Sequence, residues 1–222
     1  MIPSSLNPND VGLCARVPWA DKLIDFDHIK SIEPYFYLNA YNVTDKRMEN
    51  FNKYDMTVEH FRAASAFPFI YGPYELNGKS YYEGGSLECL NFHDILSLHP
   101  GLERIVVFDV LGHEGLIRKP RNLYDSWVLS MIIPLVRIAQ ANIDLFALRH
   151  NHGYSRENGA KADIMIVPFD IDEEHLPNVL DWSYSNGKKL FEIGYRSGER
   201  FLQGEGACLL PSSRIESKSS VF

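Results

Sequence analysis

The clearest local structural signal in this sequence is the segment Tyr74-Glu75-Leu76-Asn77-Gly78-Lys79-Ser80-Tyr81. An Asn-Gly pair between alternating apolar residues is a strong signal for a two-residue type I′ turn, because both turn residues must adopt positive φ. We therefore predict a β-hairpin closed by Asn77 and Gly78. Glu83-Gly84-Gly85 follows directly, and two adjacent glycines permit a sharp backbone bend after the second strand.

The segments around the hairpin predict strands and helices in alternation. An aromatic and β-branched run at 35–43 indicates a strand, and Thr57 is placed to cap a helix that runs to Ala66. Residues 91–98 favour a short helix. The apolar run 104–111 is typical of a strand that is buried on both faces. This alternation predicts an α/β fold with a mainly parallel sheet.

The second half of the chain predicts two longer helices around one strand. Apolar residues at helical spacing predict a helix over 121–150, which Pro134 should kink or split. Residues 162–169 favour a buried strand, and residues 182–202 a final helix that is interrupted near Gly187. The Gly/Ser-rich residues from 204 onward predict a tail that is disordered at 212–220.

Composition and charge narrow the possible functions. The chain has 222 residues and a formal net charge of −7, which argues against a protein that follows nucleic acid phosphates. The local basic cluster of Arg118, Lys119 and Arg121 is more typical of a solvated surface. The most apolar stretch, 127–136, has about half the roughly 20 residues that a membrane-spanning helix needs. We therefore expect no transmembrane segment.

Cysteine usage and the start of the sequence indicate the compartment. The three cysteines, Cys14, Cys89 and Cys208, are far apart and never form a Cys-x-x-Cys pair, as expected for a reduced chain rather than a disulfide scaffold or zinc site. The first ten residues contain neither a basic start nor an apolar run, so no signal peptide is predicted. Together these features favour a cytoplasmic protein.

Six short motifs follow one another in an order that resembles a known family. They are Leu23-Ile24-Asp25-Phe26-Asp27, Asn42-Val43-Thr44, Ala64-Ser65-Ala66-Phe67-Pro68, Tyr82-Glu83-Gly84-Gly85, Leu90-Asn91-Phe92 and Ile105-Val106-Val107. Their order resembles the second half of the patatin-like phospholipase domain, in which a hairpin delivers an Asp-Gly-Gly motif. The first two motifs are similar to a bacterial subgroup with an extra C-terminal helical region. The resemblance covers 7–111 well and 121–201 more loosely.

The resemblance implies a fold and a domain organisation. The expected fold is a three-layer α/β sheet of the patatin or lysophospholipase type, incomplete here, with a C-terminal helical region. Residues 1–20 would be an extended lead-in and 21–115 the C-terminal half of the patatin-like core. Residues 116–204 would form a helical and strand extension, and 205–222 a disordered tail.

The resemblance also implies a catalytic dyad that needs no cofactor. In the family, the serine of a Gly-x-Ser-x-Gly elbow attacks the ester, the aspartate of the Asp-Gly-Gly turn activates it, and a glycine-rich loop binds the oxyanion. In this chain Glu83 stands at the aspartate position, with Gly84 and Gly85 as its supporting turn. Glutamate adds a methylene, and a displacement of about 1 Å can cost on the order of a hundredfold in rate. Without the resemblance, Glu83 would be interpreted as an ordinary turn carboxylate.

The nucleophile of the family has no counterpart in this sequence. No Gly-x-Ser-x-Gly and no glycine-rich oxyanion loop occur, and Ser197 stands one place too late in Gly194-Tyr195-Arg196-Ser197-Gly198, so we interpret it as structural. The resemblance therefore implies a partial serine acyl-ester hydrolase for lipid or polyester esters, inactive alone. A partner chain would supply the serine, or a homo-oligomer would form across the edge of strand 104–111. The alternatives are an inactive remnant acting as a binding or scaffold subunit, and an unrelated binding module.

The remaining candidate residues favour structural interpretations over catalytic or metal-binding ones. Cys89 and His93 could be imagined as a catalytic dyad, but a cysteine entering a helix is more often part of a core. His113-Glu114 and His150-Asn151-His152 lack the further ligands of a zinc site, so no metal site is predicted. Asp109 could reach a site from the end of its strand, but more often such a residue caps the next turn.

Overall fold

The computed structural model describes residues 24–111, 114–146, 148, 163–179, 181, 183–204 and 208–210. The chain divides into two compact units, residues 1–91 and 92–222. The predicted strand near 104–111 therefore belongs to the second unit, whereas the resemblance groups it with the hairpin. Of the predicted tail, 208–210 form a short strand and 211–222 lie outside the described residues.

The first unit is built on an antiparallel sheet. Its elements are α1 (Phe26–Ser31), β1 (Tyr37–Asn42), β2 (Arg47–Asn52), α2 (Val58–Ala64), β3 (Tyr74–Leu76), β4 (Lys79–Glu83) and a 3-10 turn at Gly84–Ser86. The strand order is β2-β1-β4-β3, and every neighbouring pair is antiparallel. The predicted hairpin is confirmed: Leu76 pairs with Lys79, and Asn77 and Gly78 have φ of 52° and 75°, as a type I′ turn requires.

Small residues allow helix α2 to lie close to this sheet. Ala63 on the helix, Ala66 just beyond it and Ala40 on β1 are buried with the rings of Tyr74 and Tyr81. The helix begins after Thr57, as predicted, and the backbone N–H of Thr57 donates to Nδ1 of His60 at 3.3 Å. The resulting core occupies one face of the sheet.

The second unit combines a smaller sheet with two long helices. Its elements are α3 (Phe92–Leu98), β5 (Arg104–Asp109), α4 (Leu123–Phe146), β6 (Asp163–Pro168), a 3-10 helix (Glu173–Asn178), α5 (Tyr184–Leu202) and β7 (Cys208–Leu210). The strand order is β5-β6-β7, in which β5 and β6 are parallel and β7 is antiparallel to β6. The core of the unit contains Leu116, Val128, Leu129, Ile132, Val136, Ile171 and Leu176.

The fold class is mixed α/β, but the expected mainly parallel sheet is wrong. Among the described strands, β5 and β6 are the one parallel pair. The links between β1 and β2 and between β3 and β4 are far shorter than the dozen or more residues that a parallel crossover needs. Because the hairpin sheet is antiparallel, the carboxyl ends of its strands do not share one edge.

Strand β5 is not buried on both faces, contrary to prediction. Val107 is buried, but Val106 and Phe108 are 41% and 67% exposed. The strand lies at the edge of the three-stranded sheet, and its alternate side chains project from a face that the described part of the second unit leaves open. An apolar run therefore predicted the strand but not its burial.

Both long helices are continuous where interruptions were predicted. Helix α4 runs through Pro134 without being split, and α5 runs through Gly187. A glycine inside a helix costs only about 1 kcal/mol relative to alanine. The Ser183 side chain caps the start of α5, and the Asn186 amide donates to the carbonyls of Asn178 and Asp181, each at 2.8 Å. These bonds hold the first turn of α5, immediately before Gly187.

A buried ion pair fixes the start of α4. Nη2 of Arg118 lies 2.7 Å from Oδ2 of Asp125, and both side chains are buried. The backbone N–H of Arg121 donates to the same carboxylate at 3.0 Å; this bond and the Arg118 guanidinium lower the pKa of Asp125. Arg118 also donates to the carbonyl of Glu173 at 3.1 Å. The interpretation of Arg118 as part of a solvated basic surface is therefore wrong.

Among the described helices, α4 alone is long and apolar enough to cross a membrane by length and composition. The core helix of a soluble protein meets the same criteria. Helix α4 buries seven residues in the second unit, including the ion-paired Asp125. The helix is therefore compatible with the prediction that the chain has no transmembrane segment.

Candidate functional site

The backbone around Glu83 is held from two directions. Glu83 is the last residue of β4, and its N–H donates to the carbonyl of Ala66, which follows α2, at 3.0 Å. Its own carbonyl accepts from Oγ of Ser86 at 2.8 Å. The hairpin, the segment after α2 and the 3-10 turn therefore fix the position of the Cα atom of Glu83.

The Glu83 side chain lies on the covered face of the sheet. Glu83 is opposite Ala40 of β1, and opposed residues of an antiparallel pair project to the same face. Ala40 is fully buried on the face that packs against α2. Oε2 of Glu83 is buried and has no hydrogen-bond partner in the part of the chain that the structure describes. The Glu83 carboxyl group is therefore not freely solvated, as it would be in an ordinary turn.

Burial changes the acidity of this group. A carboxylate removed from water, with no donor to stabilise its charge, prefers the protonated form. Burial accordingly raises the pKa of Glu83 to about 7. A carboxyl group that exchanges its proton near neutral pH is suited to general acid–base chemistry, because it can accept and return a proton at the operating pH.

Of the two glycines of the turn, Gly84 is needed for space rather than for backbone freedom. Neither Gly84 nor Gly85 has positive φ, so the sharp bend predicted from their flexibility is not the reason for them. A Cβ on Gly84 would lie 2.6 Å from Cε of Met48. A Cβ on Gly85 would lie 3.4 Å from Oε1 of Glu83. Gly84 thus permits close packing, whereas a Cβ on Gly85 would make an ordinary contact with the Glu83 carboxylate.

Glu49 on β2 provides a contrast that the sequence did not reveal. Its carboxylate accepts hydrogen bonds from Asn42 at 2.9 Å, Arg47 at 2.9 Å and Tyr81 at 2.8 Å. Burial raises the pKa of Glu49, but these bonds outweigh it and the net shift is downward. Burial, followed by the bond to Glu49, raises the pKa of Tyr81 to about 12. A satisfied network of this kind stabilises the sheet and leaves no free base.

The other sequence candidates do not join a site within the described residues. Ser197 is buried in α5, where its Oγ donates to the carbonyl of Ile193 at 3.0 Å and accepts from the N–H of Asp170 at 3.3 Å. Both bonds fit the structural role expected of it. Cys89 donates to the carbonyl of Gly85 at 3.0 Å. The side chain of its imagined partner His93 lies outside the described residues.

No metal site is found in the described ranges, where no group of three or more potential ligands occurs. Glu114 pairs instead with Arg137 at 3.2 Å. Three histidines for which the sequence predicted no metal site, His113, His150 and His152, lie outside the described residues. Asp109 is the last residue of β5, in the second unit.

No protein-family model matches this chain, and no curated protein sequence is significantly similar to it.

Proposed function

We propose that this chain carries the general-base segment of a patatin-like serine acyl hydrolase that cleaves lipid or polyester acyl esters. Glu83 is the dyad base, and the serine belongs to a Gly-x-Ser-x-Gly segment outside these 222 residues. The observation that carries the proposal is the Glu83 carboxyl group, which is fixed at the end of the hairpin, buried and without a hydrogen-bond partner on Oε2 among the described residues.

In the proposed reaction, the Glu83 carboxylate accepts the proton of the serine hydroxyl as the serine Oγ attacks the ester carbonyl. The carboxyl group then gives that proton to the departing alcohol. A water molecule later attacks the acyl-serine in the same manner, with Glu83 again as the base. An Oε2 atom that lacks a donor is free to make the bond to the serine, and a pKa of about 7 suits both directions of proton transfer.

The serine-bearing segment is proposed to pack on the exposed face of β5, in the three-stranded sheet of the second unit. Val106 and Phe108 are 41% and 67% exposed and alternate along β5, so they share one face, and Val110 in the turn after the strand is 73% exposed. In the proposed three-layer fold, strands and helices of the serine-bearing segment cover this face and edge. The same surface would serve the alternative function, a catalytically inactive binding or scaffold subunit.

Complementation tests this proposal. The purified chain alone should neither hydrolyse p-nitrophenyl acyl esters nor react with a fluorophosphonate probe. Co-expression with the N-terminal half of a patatin-like hydrolase, which contributes the serine elbow and the oxyanion loop, should give a complex whose elbow serine is labelled. Stoichiometric labelling of any serine of this chain alone would refute the proposal. A stable complex without hydrolysis or labelling would favour the scaffold alternative.

A further inference from the structure

Helix α5 carries an exposed apolar stripe that the described residues of its own unit do not cover. Tyr184, Phe191, Tyr195 and Leu202 are 89%, 71%, 60% and 84% exposed. At 3.6 residues per turn, the four positions lie within about 20° of a single line along the helix. The rings of Phe191 and Tyr195 stack with their centroids 6.3 Å apart. An ordered apolar strip of this length on a helix marks an interaction surface.

The opposite side of α5 is firmly attached to the second unit, so the stripe is not the result of a loose helix. Asn186 is buried, and its amide holds the carbonyls of Asn178 and Asp181. Ser197 is buried three turns later and accepts a hydrogen bond from the N–H of Asp170. The helix therefore presents the stripe outward in a fixed orientation.

The spacing between the four stripe residues is the same whether the helix is followed from its N-terminus or from its C-terminus. Its four residues are separated by seven, four and seven positions. If a second copy of α5 lies antiparallel on the first, Tyr184 meets Leu202 of the partner subunit, and Phe191 meets Tyr195 of the partner subunit. A two-fold symmetric dimer requires self-complementarity of this kind, because the same patch is used on both subunits.

The charges beside the stripe are complementary in the same arrangement. Lys188 and Glu199 lie on the same flank of the stripe. Lys188 is four residues after Tyr184, and Glu199 is three residues before Leu202. In the antiparallel pair, Lys188 therefore lies next to Glu199 of the partner subunit, and the contact occurs twice. Neither residue forms an ion pair within the described structure.

The other flank allows the two helices to approach closely. Gly187 and Gly198 lie there, and a Cβ added to either would meet no atom within 4 Å. Residues without side chains at such positions permit short distances between helix axes. A bilayer surface would instead favour basic residues along the flanks, whereas the flank that carries Lys188 also carries Glu192 and Glu199.

We propose that α5 is the dimerisation helix of this protein and pairs antiparallel with α5 of a second copy. The occupant follows from the symmetric spacing of the apolar residues and from the opposite charges of Lys188 and Glu199. This inference is independent of the role proposed for Glu83 and would hold even if the chain had no catalytic function.

Charge reversal tests the pairing by sedimentation equilibrium of the full chain. The wild-type chain should be a dimer, and Lys188→Glu or Glu199→Lys should each raise the dimer dissociation constant by about tenfold, since two attractive contacts become repulsive. An equimolar mixture of the two variants should form a heterodimer, and the double variant should recover the wild-type constant. Lys189→Glu, which places the same charge change on an exposed site away from the stripe, is the matched control.

Three results would overturn the inference. The first is a wild-type chain that stays monomeric at several hundred micromolar. The second is a dimer whose dissociation constant changes equally in Lys188→Glu and Lys189→Glu, or a mixture of the two stripe variants that fails to pair. The third is a monomer that binds phosphatidylserine vesicles through Phe191, shown by loss of binding in Phe191→Ser. Circular dichroism of each variant establishes that it is folded.

Discussion

Glu49 and Glu83 are two carboxylates of one four-stranded sheet whose surroundings have opposite effects. Glu49 is surrounded by donors, and its pKa is lowered. Glu83 has a buried oxygen without a donor in the described structure, and its pKa is raised to about 7. The sequence singled out Glu83 through its position in a motif. It could not reveal the network of Glu49, because Asn42, Arg47 and Tyr81 converge only when β1, β2 and β4 pair.

The first prediction concerns the pH dependence of stability, with Glu83→Gln as the variant. Because the folded-state pKa of Glu83 exceeds its ordinary value of 4.5, the folded chain binds the proton more tightly than the unfolded chain. The protonated side chain therefore contributes its full stability below about pH 4.5 and loses it as the pH rises through about 7. Between about pH 4 and about pH 8, the free energy of unfolding of the wild type should fall by about 3 kcal/mol relative to Glu83→Gln.

Urea denaturation across this pH range measures the difference. Glu75→Gln is the matched control, because Glu75 is an exposed carboxylate on the other strand of the same hairpin. The Glu75 variant should follow the wild type at every pH. If the Glu83 variant also followed the wild type at every pH, the Glu83 carboxyl group would not be buried in the folded chain in solution.

At the scale of elements, the turn between β3 and β4 was predictable because its chemistry is local. Two residues with positive φ are required, and Asn77 and Gly78 satisfy that requirement without help from distant residues. The direction and burial of β5 were not predictable in this way. They depend on which strand pairs with β5 and on which residues pack against its faces. The apolar run at 104–111 predicts neither.

The second prediction tests the hairpin with Gly78→Ala. Gly78 has φ of 75°, and a Cβ there would meet no atom within 4 Å, so the cost of alanine comes from the backbone conformation alone. The free energy of unfolding should decrease by about 1–2 kcal/mol. Gly101→Ala is the matched control, since Gly101 has equally open surroundings and no positive φ. Equal stabilities of the two variants in chemical denaturation would exclude the type I′ turn.

The helices show a second limit of sequence reasoning. Pro134 and Gly187 have poor intrinsic helix propensity, yet α4 and α5 continue through them. Packing of the α4 face around Val128 and Ile132 and the bonds of Asn186 outweigh local propensity. The Arg118–Asp125 pair was equally inaccessible, because residues seven apart in sequence become an ion pair only when the loop before α4 folds back.

For the molecule as a whole, two apolar surfaces are exposed among the residues that the structure describes. The open face of β5 is the proposed site of the serine-bearing segment, and the stripe of α5 is the proposed dimer contact. The stripe could have been noticed from the spacing of Tyr184, Phe191, Tyr195 and Leu202. Which side of the helix faces the core could not, because α5 also has apolar residues, such as Leu190, on its attached side.

The proposal that Glu83 is a catalytic base is tested by kcat/KM for ester hydrolysis by the complemented complex. Glu83→Gln keeps the shape of the side chain and removes its basicity, so it should lower kcat/KM by about 10²–10⁴-fold. Glu83→Asp should retain or raise the activity, since it restores the residue of the resembled family. Hydrolysis by the Glu83→Gln complex at the wild-type rate would contradict the claim.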